Sequence, residues 1–293
     1  MRLLPLLLLC ILSKNVLSQN VGINNPSPAE RLDVNGNINV TGTIKANGTD
    51  GAAGQVLMKN SSGNLQWSDL SNYKNFTTYY FDGSFTVPAG VTKIAVELWG
   101  AGGGGNGDAS GGGGGYIMAV LNVTPGAIAT IDIGTGGTGT SFNSAQGGGN
   151  TTFSIGAVNL NAGGGFGAQY ITATSFLLGA GGMFPVFIPG VNTYIGAKGF
   201  AGSSISRNFT QVNATTFYET IDGANGGHAW NAPEAAGKAG RMIWNITGSA
   251  IIQFVNGDLN GSSPGGGGAS GFHYTTGVTT GGNGGDGLVI VRY

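Results

Sequence analysis

Apolar and polar residues alternate along much of this chain in short stretches separated by turn residues. In Lys93-Ile94-Ala95-Val96-Glu97-Leu98 the larger apolar side chains fall on every second position, and Ala127-Ile128-Ala129-Thr130-Ile131-Asp132-Ile133 repeats the pattern. Ile117-Met118-Ala119-Val120-Leu121 follows it in part, and Leu288-Val289-Ile290-Val291-Arg292-Tyr293 ends the chain as an apolar strand. A period of two is the signature of a strand with one face buried. Pro88-Ala89-Gly90 and Thr124-Pro125-Gly126 carry turn chemistry. No stretch of 12 or more residues has a helical apolar period. The pattern predicts an all-β protein.

The N-terminus departs from this pattern. Arg2 precedes an apolar run from Leu3 to Leu12 interrupted only by Pro5, and Val16-Leu17-Ser18 supplies a cleavage signature before Gln19. Residues 1–18 therefore read as a secretory signal peptide, and the expected location is secreted, extracellular or cell surface. Cys10 is the sole cysteine, so a chain cleaved after Ser18 carries no thiol and no disulfide. No later run is long enough for a membrane-spanning helix, so no integral membrane segment is expected.

From 19 to 72 the strands are thin. Val21-Gly22-Ile23, Arg31-Leu32-Asp33-Val34, Gly42-Thr43-Ile44-Lys45, Gln55-Val56-Leu57 and Leu65-Gln66-Trp67 are broken every few residues by Gly, Asn or Pro. One copy of such a segment cannot cover both of its faces, so residues 19–72 are expected to form a short β stalk, more stable with three copies wound together. Residues 73–293 form the second region, where glycine dominates.

The 59 glycines include runs at 102–105, 111–115, 147–149, 163–165 and 265–268. Two states suit such runs. As flexible linkers they would stay solvated. As polyglycine II helices, extended and left-handed with three residues per turn, they have no internal hydrogen bonds. Their N–H and C=O groups must then find partners on neighbouring rods, at a distance that excludes Cβ atoms. Collagen is ruled out, because it needs a strict Gly-X-Y period with much proline and this chain has 9 prolines.

Composition narrows the function. The net charge is −1 and only 9 % of residues are charged. No basic face for nucleic acid is visible, and 40 % hydrophobic residues supply a core that disordered chains lack. No glycine run leads into the Lys-Ser or Lys-Thr of a phosphate loop. Gly261-Ser262-Ser263-Pro264-Gly265 matches a nucleophile elbow in letters, but a glycine run follows it instead of a helix, so it reads as a turn. Asn256-Gly257-Asp258-Leu259-Asn260-Gly261 lacks the first Asp and closing Glu of a calcium loop and also reads as a turn. Two histidines and 13 scattered acids give neither a metal set nor a favoured carboxylate pair. No catalytic residue, metal or cofactor is expected.

Binding candidates remain. Gly226-Gly227-His228-Ala229-Trp230 and Gly271-Phe272-His273-Tyr274 each place a histidine beside aromatics just after glycine. His228, Trp230, Phe272, His273 and Tyr274 therefore form two loop candidates for a glycan or receptor surface, or else cap the ends of a glycine bundle. The apolar insertion Phe176-Leu177-Leu178 and Met183-Phe184-Pro185-Val186-Phe187-Ile188-Pro189 reads as core or subunit contact. Ten Asn-x-Ser/Thr sequons, among them Asn122 and Asn245, reflect turn-rich composition or glycosylation.

Two resemblances sharpen these expectations. The stretch VGINNPSPAERLDVNGNINVTGTIKA…GQVLMKNSSGNLQW resembles the short β-repeat of secreted Gram-negative proteins and phage tail fibres, which implies a trimeric stalk. FTVPAGVTKIAVELWGAGGGG, GGGGGYIMAVLNVTPGAIATIDIGTGG and the closing GGNGGDGLVIVRY are similar to a bacterial and phage glycine-rich domain family across 79–293. The same logic marks some phage tip adhesins and the glycine-rich region of anaplastic lymphoma kinase-type receptors. Those receptors carry cysteines that this chain lacks, so a receptor–ligand role is not implied. The resemblance implies a β-sandwich, jelly-roll-like, with an inserted bundle of polyglycine II helices. The expected function is an adhesin-like or fibre-forming module that binds or self-assembles, as a trimer or filament, through loops at the bundle end. The rival is a purely structural matrix or filament subunit.

Overall fold

The computed structural model describes residues 20–293 apart from 53–54, 61, 70–72, 173–174, 186–187, 192, 233–234, 256 and 275–276. The expected leader at 1–18 lies outside the described residues. The chain divides into two compact units at Ser71/Asn72.

The first unit contains β1 (Val21–Ile23), β2 (Leu32–Val34), β3 (Lys45–Ala46), β4 (Thr49–Asp50), β5 (Gln55–Lys59) and β6 (Leu65–Asp69). They pair only two by two, β1 with β2 in parallel and the others as hairpins. Asn47 and Gly48, with φ of 51° and 79°, make the tight turn between β3 and β4. Val21, Ile23, Leu32, Ile38 and Leu65 are each more than half exposed. Ala46 is the single buried residue among those described in this unit. The thin strands expected from the sequence are present, and within one copy they enclose no core.

The second unit runs through β7 (Phe76–Tyr79), β8 (Gly83–Thr86), β9 (Lys93–Trp99), β10 (Tyr116–Asn122), β11 (Ile128–Asp132), β12 (Thr151–Ile155) and β13 (Val158–Ala162). It continues with β14 (Gln169–Thr172), β15 (Ser175–Leu177), β16 (Tyr194–Ala197), β17 (Ser206–Asn213), β18 (Thr216–Asp222), β19 (Arg241–Asn245) and β20 (Ala250–Val255). It ends with β21 (His273–Tyr274), β22 (Gly277–Val278) and β23 (Leu288–Arg292). Two antiparallel sheets, β16-β10-β9-β23-β7 and β13-β12-β11-β8, form a sandwich. The alternation read from the sequence decides which side chains fill it. Ile94, Val96 and Leu98 of β9 meet Ile117 of β10, Val289 and Val291 of β23, and Phe85, Ile131, Phe153 and Leu160 of the facing sheet. Each such side chain contributes about 1.5–3 kcal/mol on burial.

Between these strands the chain leaves the sandwich as glycine-rich rods. Rods at 100–106, 134–140, 163–168, 199–203, 235–240 and 265–271 run outward. Rods at 110–115, 145–150, 179–183, 223–228, 257–262 and 281–287 return. The rod at 100–106 shows the rule. Gly100 and Gly103 donate to Gly115 and Gly112, Ala101 and Gly104 to Gly149 and Gln146, and Gly102 and Gly105 to Gly285 and Gly282. Its carbonyls at 101 and 104 accept from Gly165 and Ala168, those at 102 and 105 from Gly137 and Thr140, and those at 103 and 106 from Gly268 and Gly271. Every third residue faces the same neighbour, which is the repeat of a three-residue helix. Six rods therefore surround this one, three antiparallel acceptors and three parallel donors. The runs are polyglycine II helices and not linkers.

Side-chain size explains which runs lie inside. A Cβ on Gly114 would sit 1.8 Å from the Gly100 oxygen, and one on Gly103 would sit 2.2 Å from the Phe166 oxygen. The peripheral rod Gly134-Thr135-Gly136-Gly137-Thr138 buries Gly134 and Gly137 and turns Thr135 and Thr138 outward. At the rim, Asn283 and Asp286 side chains accept from the Gly139 and Gly136 N–H groups at 2.8 and 2.7 Å. Residues 257–261, read as a turn from their Asn and Asp content, are instead part of such a rod. The Asp258 and Leu259 carbonyls accept from Lys238 and Ala269, because a peripheral position tolerates a side chain that points outward.

A third sheet, the meander β17-β18-β19-β20, lies beyond the far ends of the rods. Among the described residues no helix is long and apolar enough to cross a membrane.

Candidate functional site

Alternation of rod direction sorts every connection by end. Those on the sandwich side are mostly strands of the sandwich itself. Those on the far side carry the hairpin β14–β15, the meander β17–β20, the hairpin β21–β22 and the turns at 106–110 and 141–144. At about 3.1 Å per residue, a six-residue rod holds the two ends roughly 20 Å apart. The far-side elements touch one another and make a crown. Ala109 bridges Ser204, the Phe142 and His273 rings meet edge to face at 5.2 Å, and Trp244 packs on Tyr274 at 4.9 Å.

Under the crown lies an ionic knot. Arg207 of β17 donates to Glu219 Oε1 of β18 at 2.8 Å, to Asp108 Oδ1 at 3.3 Å and to the His273 carbonyl at 2.5 Å. His273 Nδ1 lies 2.9 Å from Asp108 Oδ2. Glu219 is 2 % exposed and Asp108 6 %, so the buried carboxylates depend on Arg207 for compensation. Beside the knot, Ile221, Met242 and Phe272 form a small core. Asp222 and Arg241 pair at 2.5 Å near the sheet surface, and this contact raises the Arg241 guanidinium above its ordinary range. Every Asp, Glu and Arg among the described crown residues is thus ion-paired. Among the side chains the crown turns outward are several large apolar ones, beside the polar residues of β17. Phe209, Val212, Ile171, Leu177 and Ile252 are each at least half exposed.

The two sequence candidates separate. Phe272, His273 and Tyr274 belong to the crown, but Phe272 is 1 % exposed and presents no face to a ligand. It caps the bundle, with Phe254 edge-on at 5.5 Å. His273 is held in the knot. His228, the last residue of the rod at 223–228, and Trp230, in the turn after it, lie at the opposite, sandwich-side end. There Trp99 Nε1 donates to the Trp230 carbonyl at 2.8 Å. Trp230 and Phe200, both about half exposed, lie nearly parallel with centroids 6.4 Å apart, and the Phe200 and His228 rings meet edge to face at 6.3 Å. They line a cleft of about 420 Å³ with Ala229 and Asn231. His228 Nδ1 is buried there and has no partner among the described residues.

The apolar insertion divides between core and surface. Ile188 and Val191 are buried in the sandwich and Phe184 packs against it, whereas Leu177, Leu178 and Met183 are exposed. Val186, Phe187 and the Phe176 side chain lie outside the described residues. Among the described residues no cluster of His, Cys, Asp or Glu could hold a metal ion.

The meander escaped the sequence reading. The alternation of Phe217, Glu219 and Ile221 in β18 was available as a signal, but Glu219 and Arg207 occupy the inward face and interrupt the apolar pattern. No curated protein matches the chain. A family model described as the glycine-rich domain matches residues 77–293, which span the sandwich, the rods and the crown. The chain belongs to this glycine-rich domain family.

Proposed function

We propose that the protein is an exported, non-enzymatic surface module, adhesin-like or fibre-forming, whose rod bundle is a stiff pillar carrying the crown toward a partner. One observation carries this reading. Strict alternation of the rods gathers the hairpins and the meander at one end, where Ile171, Leu177, Phe209, Val212 and Ile252 are each at least half exposed while the charges are paired with one another. Apolar surface of this kind marks interaction sites. In the phage tip adhesins that the sequence resembles, loops joining glycine helices likewise contact the receptor. The uncovered strands of residues 20–69 support joining of copies, as a trimer, through the stalk.

Labelled protein applied to cells and to a glycan array tests the proposal. Binding should be lost on Phe209→Ser with Ile171→Ser and kept on Trp230→Ala. Loss only with Trp230→Ala would move the site to the sandwich-side cleft, and absence of binding by the intact protein refutes the adhesin reading. A structural subunit is the second reading, favoured by the uncovered edge of β20.

A further inference from the structure

The outermost strand of the crown meander, β20, reads Ala250-Ile251-Ile252-Gln253-Phe254-Val255. All six residues are exposed, none is charged, and Ile251, Ile252, Phe254 and Val255 each keep between 43 % and 50 % of their surface in water. Its inner edge pairs with β19. Among the described residues no backbone hydrogen bond reaches its outer edge. An open edge is a template for another strand, and proteins blunt such edges with Lys, Pro or bulges. β20 has neither Lys nor Pro and carries one irregularity, at Ile252, where its pairing with β19 steps from Gln253↔Ile243 to Ile251↔Trp244. What can fill it is therefore an extended backbone with small or apolar side chains on both faces.

We propose that the occupant is the β20 strand of a second copy, paired antiparallel about a twofold axis between Ile252 and Gln253. The irregularity at Ile252 puts Ile251 and Phe254 on one face, opposite Trp244 and Met242, and Ala250 and Val255 on the other, so a dyad can oppose them. In that register Ala250 faces the second copy's Val255, Ile251 faces its Phe254, and Ile252 faces its Gln253. Each pair occurs twice, as a symmetric interface requires. Cross-strand apolar pairs of this type stabilise an antiparallel ladder. Charge permits the pairing. The strand opposes no like charges, and the nearest ions, Asp222 and Arg241, are already bound to each other. The edge of β17 is the poorer partner. It carries Arg207 committed to Glu219 and Asp108 and is otherwise mostly polar. Two meanders would merge into one continuous sheet. This inference rests on the crown being the displayed end, and it names the partner of that end as the protein itself.

Analytical ultracentrifugation of the full chain across a concentration series, beside an Ile252→Lys variant, tests the pairing. Ile252 is half exposed, so the variant should melt like the parent, and its mass at high concentration should fall twofold. Cross-linking tests the register independently of any association through the stalk. Chains carrying Cys10→Ser with either Ala250→Cys or Val255→Cys should form a mixed disulfide at least roughly tenfold faster together than either does alone. Opposed Cα atoms lie within bridging distance, whereas two copies of position 250 would lie roughly 17 Å apart. A mass unaffected by Ile252→Lys, a disulfide formed equally well by Ala250→Cys alone, or open-ended polymers that persist in Ile252→Lys would each overturn the proposal. Pairing without cell or glycan binding would sink the adhesin reading and leave this one standing.

Discussion

Alanine in place of one glycine separates an ordered bundle from loose spacers, and neighbouring positions give opposite expectations. At Gly103 an added Cβ would lie 2.2 Å from the Phe166 oxygen and 2.7 Å from the Gly167 nitrogen. Ordinary contact begins near 3.4 Å, so the rod at 163–168 must retreat by about 1.2 Å. Two bonds cross that contact, Gly165 N–H to the Ala101 oxygen at 2.8 Å and Ala168 N–H to the Gly104 oxygen at 3.0 Å. Lengthened by that amount, both pass the limit of a useful hydrogen bond. Each broken bond strands a buried N–H at about 1–3 kcal/mol, the carbonyl being the more tolerant partner, so Gly103→Ala should cost roughly 2–6 kcal/mol. In a domain of this size that lowers Tm by roughly 5–20 °C. Gly147 is the control. Its Cβ would meet the Gly165 oxygen at 3.4 Å, an ordinary contact, while next to it Gly148 would place one 2.4 Å from the Ala101 oxygen. Gly147→Ala should be near neutral, because restricting the unfolded chain offsets small losses, and Gly148→Ala should behave like Gly103→Ala. Thermal melts with hydrogen exchange on the intact chain provide the readout. Gly103→Ala and Gly148→Ala melting with the parent, or rapid exchange through 100–115, would refute interlocked rods.

Three further outcomes follow from other parts of the molecule. Deleting residues 19–72 should reduce the oligomer mass measured by light scattering, and an unchanged mass removes the stalk from assembly. Arg207→Met strips compensation from buried Glu219 and Asp108 and should cost about 3 kcal/mol, whereas Arg207→Met with Glu219→Leu should recover part of it; equal stability of the two variants contradicts the knot. Burial, with Glu97 beside it at 3.1 Å, holds the Tyr116 hydroxyl well above the ordinary phenol range. The unfolded chain releases this proton near pH 10 while the folded chain keeps it, so the contribution is intact below about pH 10 and falls as pH rises toward the folded value. Tyr116→Phe should flatten the alkaline limb of the stability curve, and an unaltered slope in urea titrations rejects this cause.

How far the fold was legible depends on which residues face inward. The sandwich strands were readable because Ile94, Val96, Leu98, Ile131, Val289 and Val291 alternate with residues on the other face, and the structure buries them. The enclosed rods were readable as candidates because only unbroken glycine fits where six neighbours approach, as at 102–105, 111–115 and 265–268. Outer rods were harder. Gly134-Thr135-Gly136-Gly137-Thr138 and Gly281-Gly282-Asn283-Gly284-Gly285-Asp286 carry a period of three that looks irregular until one third of each rod is known to face solvent. The crown was least legible, since its buried face contains Arg207 and Glu219 and its outer strand is apolar on both faces. An amphipathic pattern records which side of a strand meets water. β20 is exposed on both sides and still apolar, so no alternation could reveal it, and that mismatch between composition and exposure calls for a second strand beside it. The position of the two histidines follows the same logic. His228 and His273 share a local motif, yet one ends an inward rod and the other begins at the end of an outward rod. Their separation is set by the parity of the rods between them, a property of the bundle that no local stretch of sequence contains.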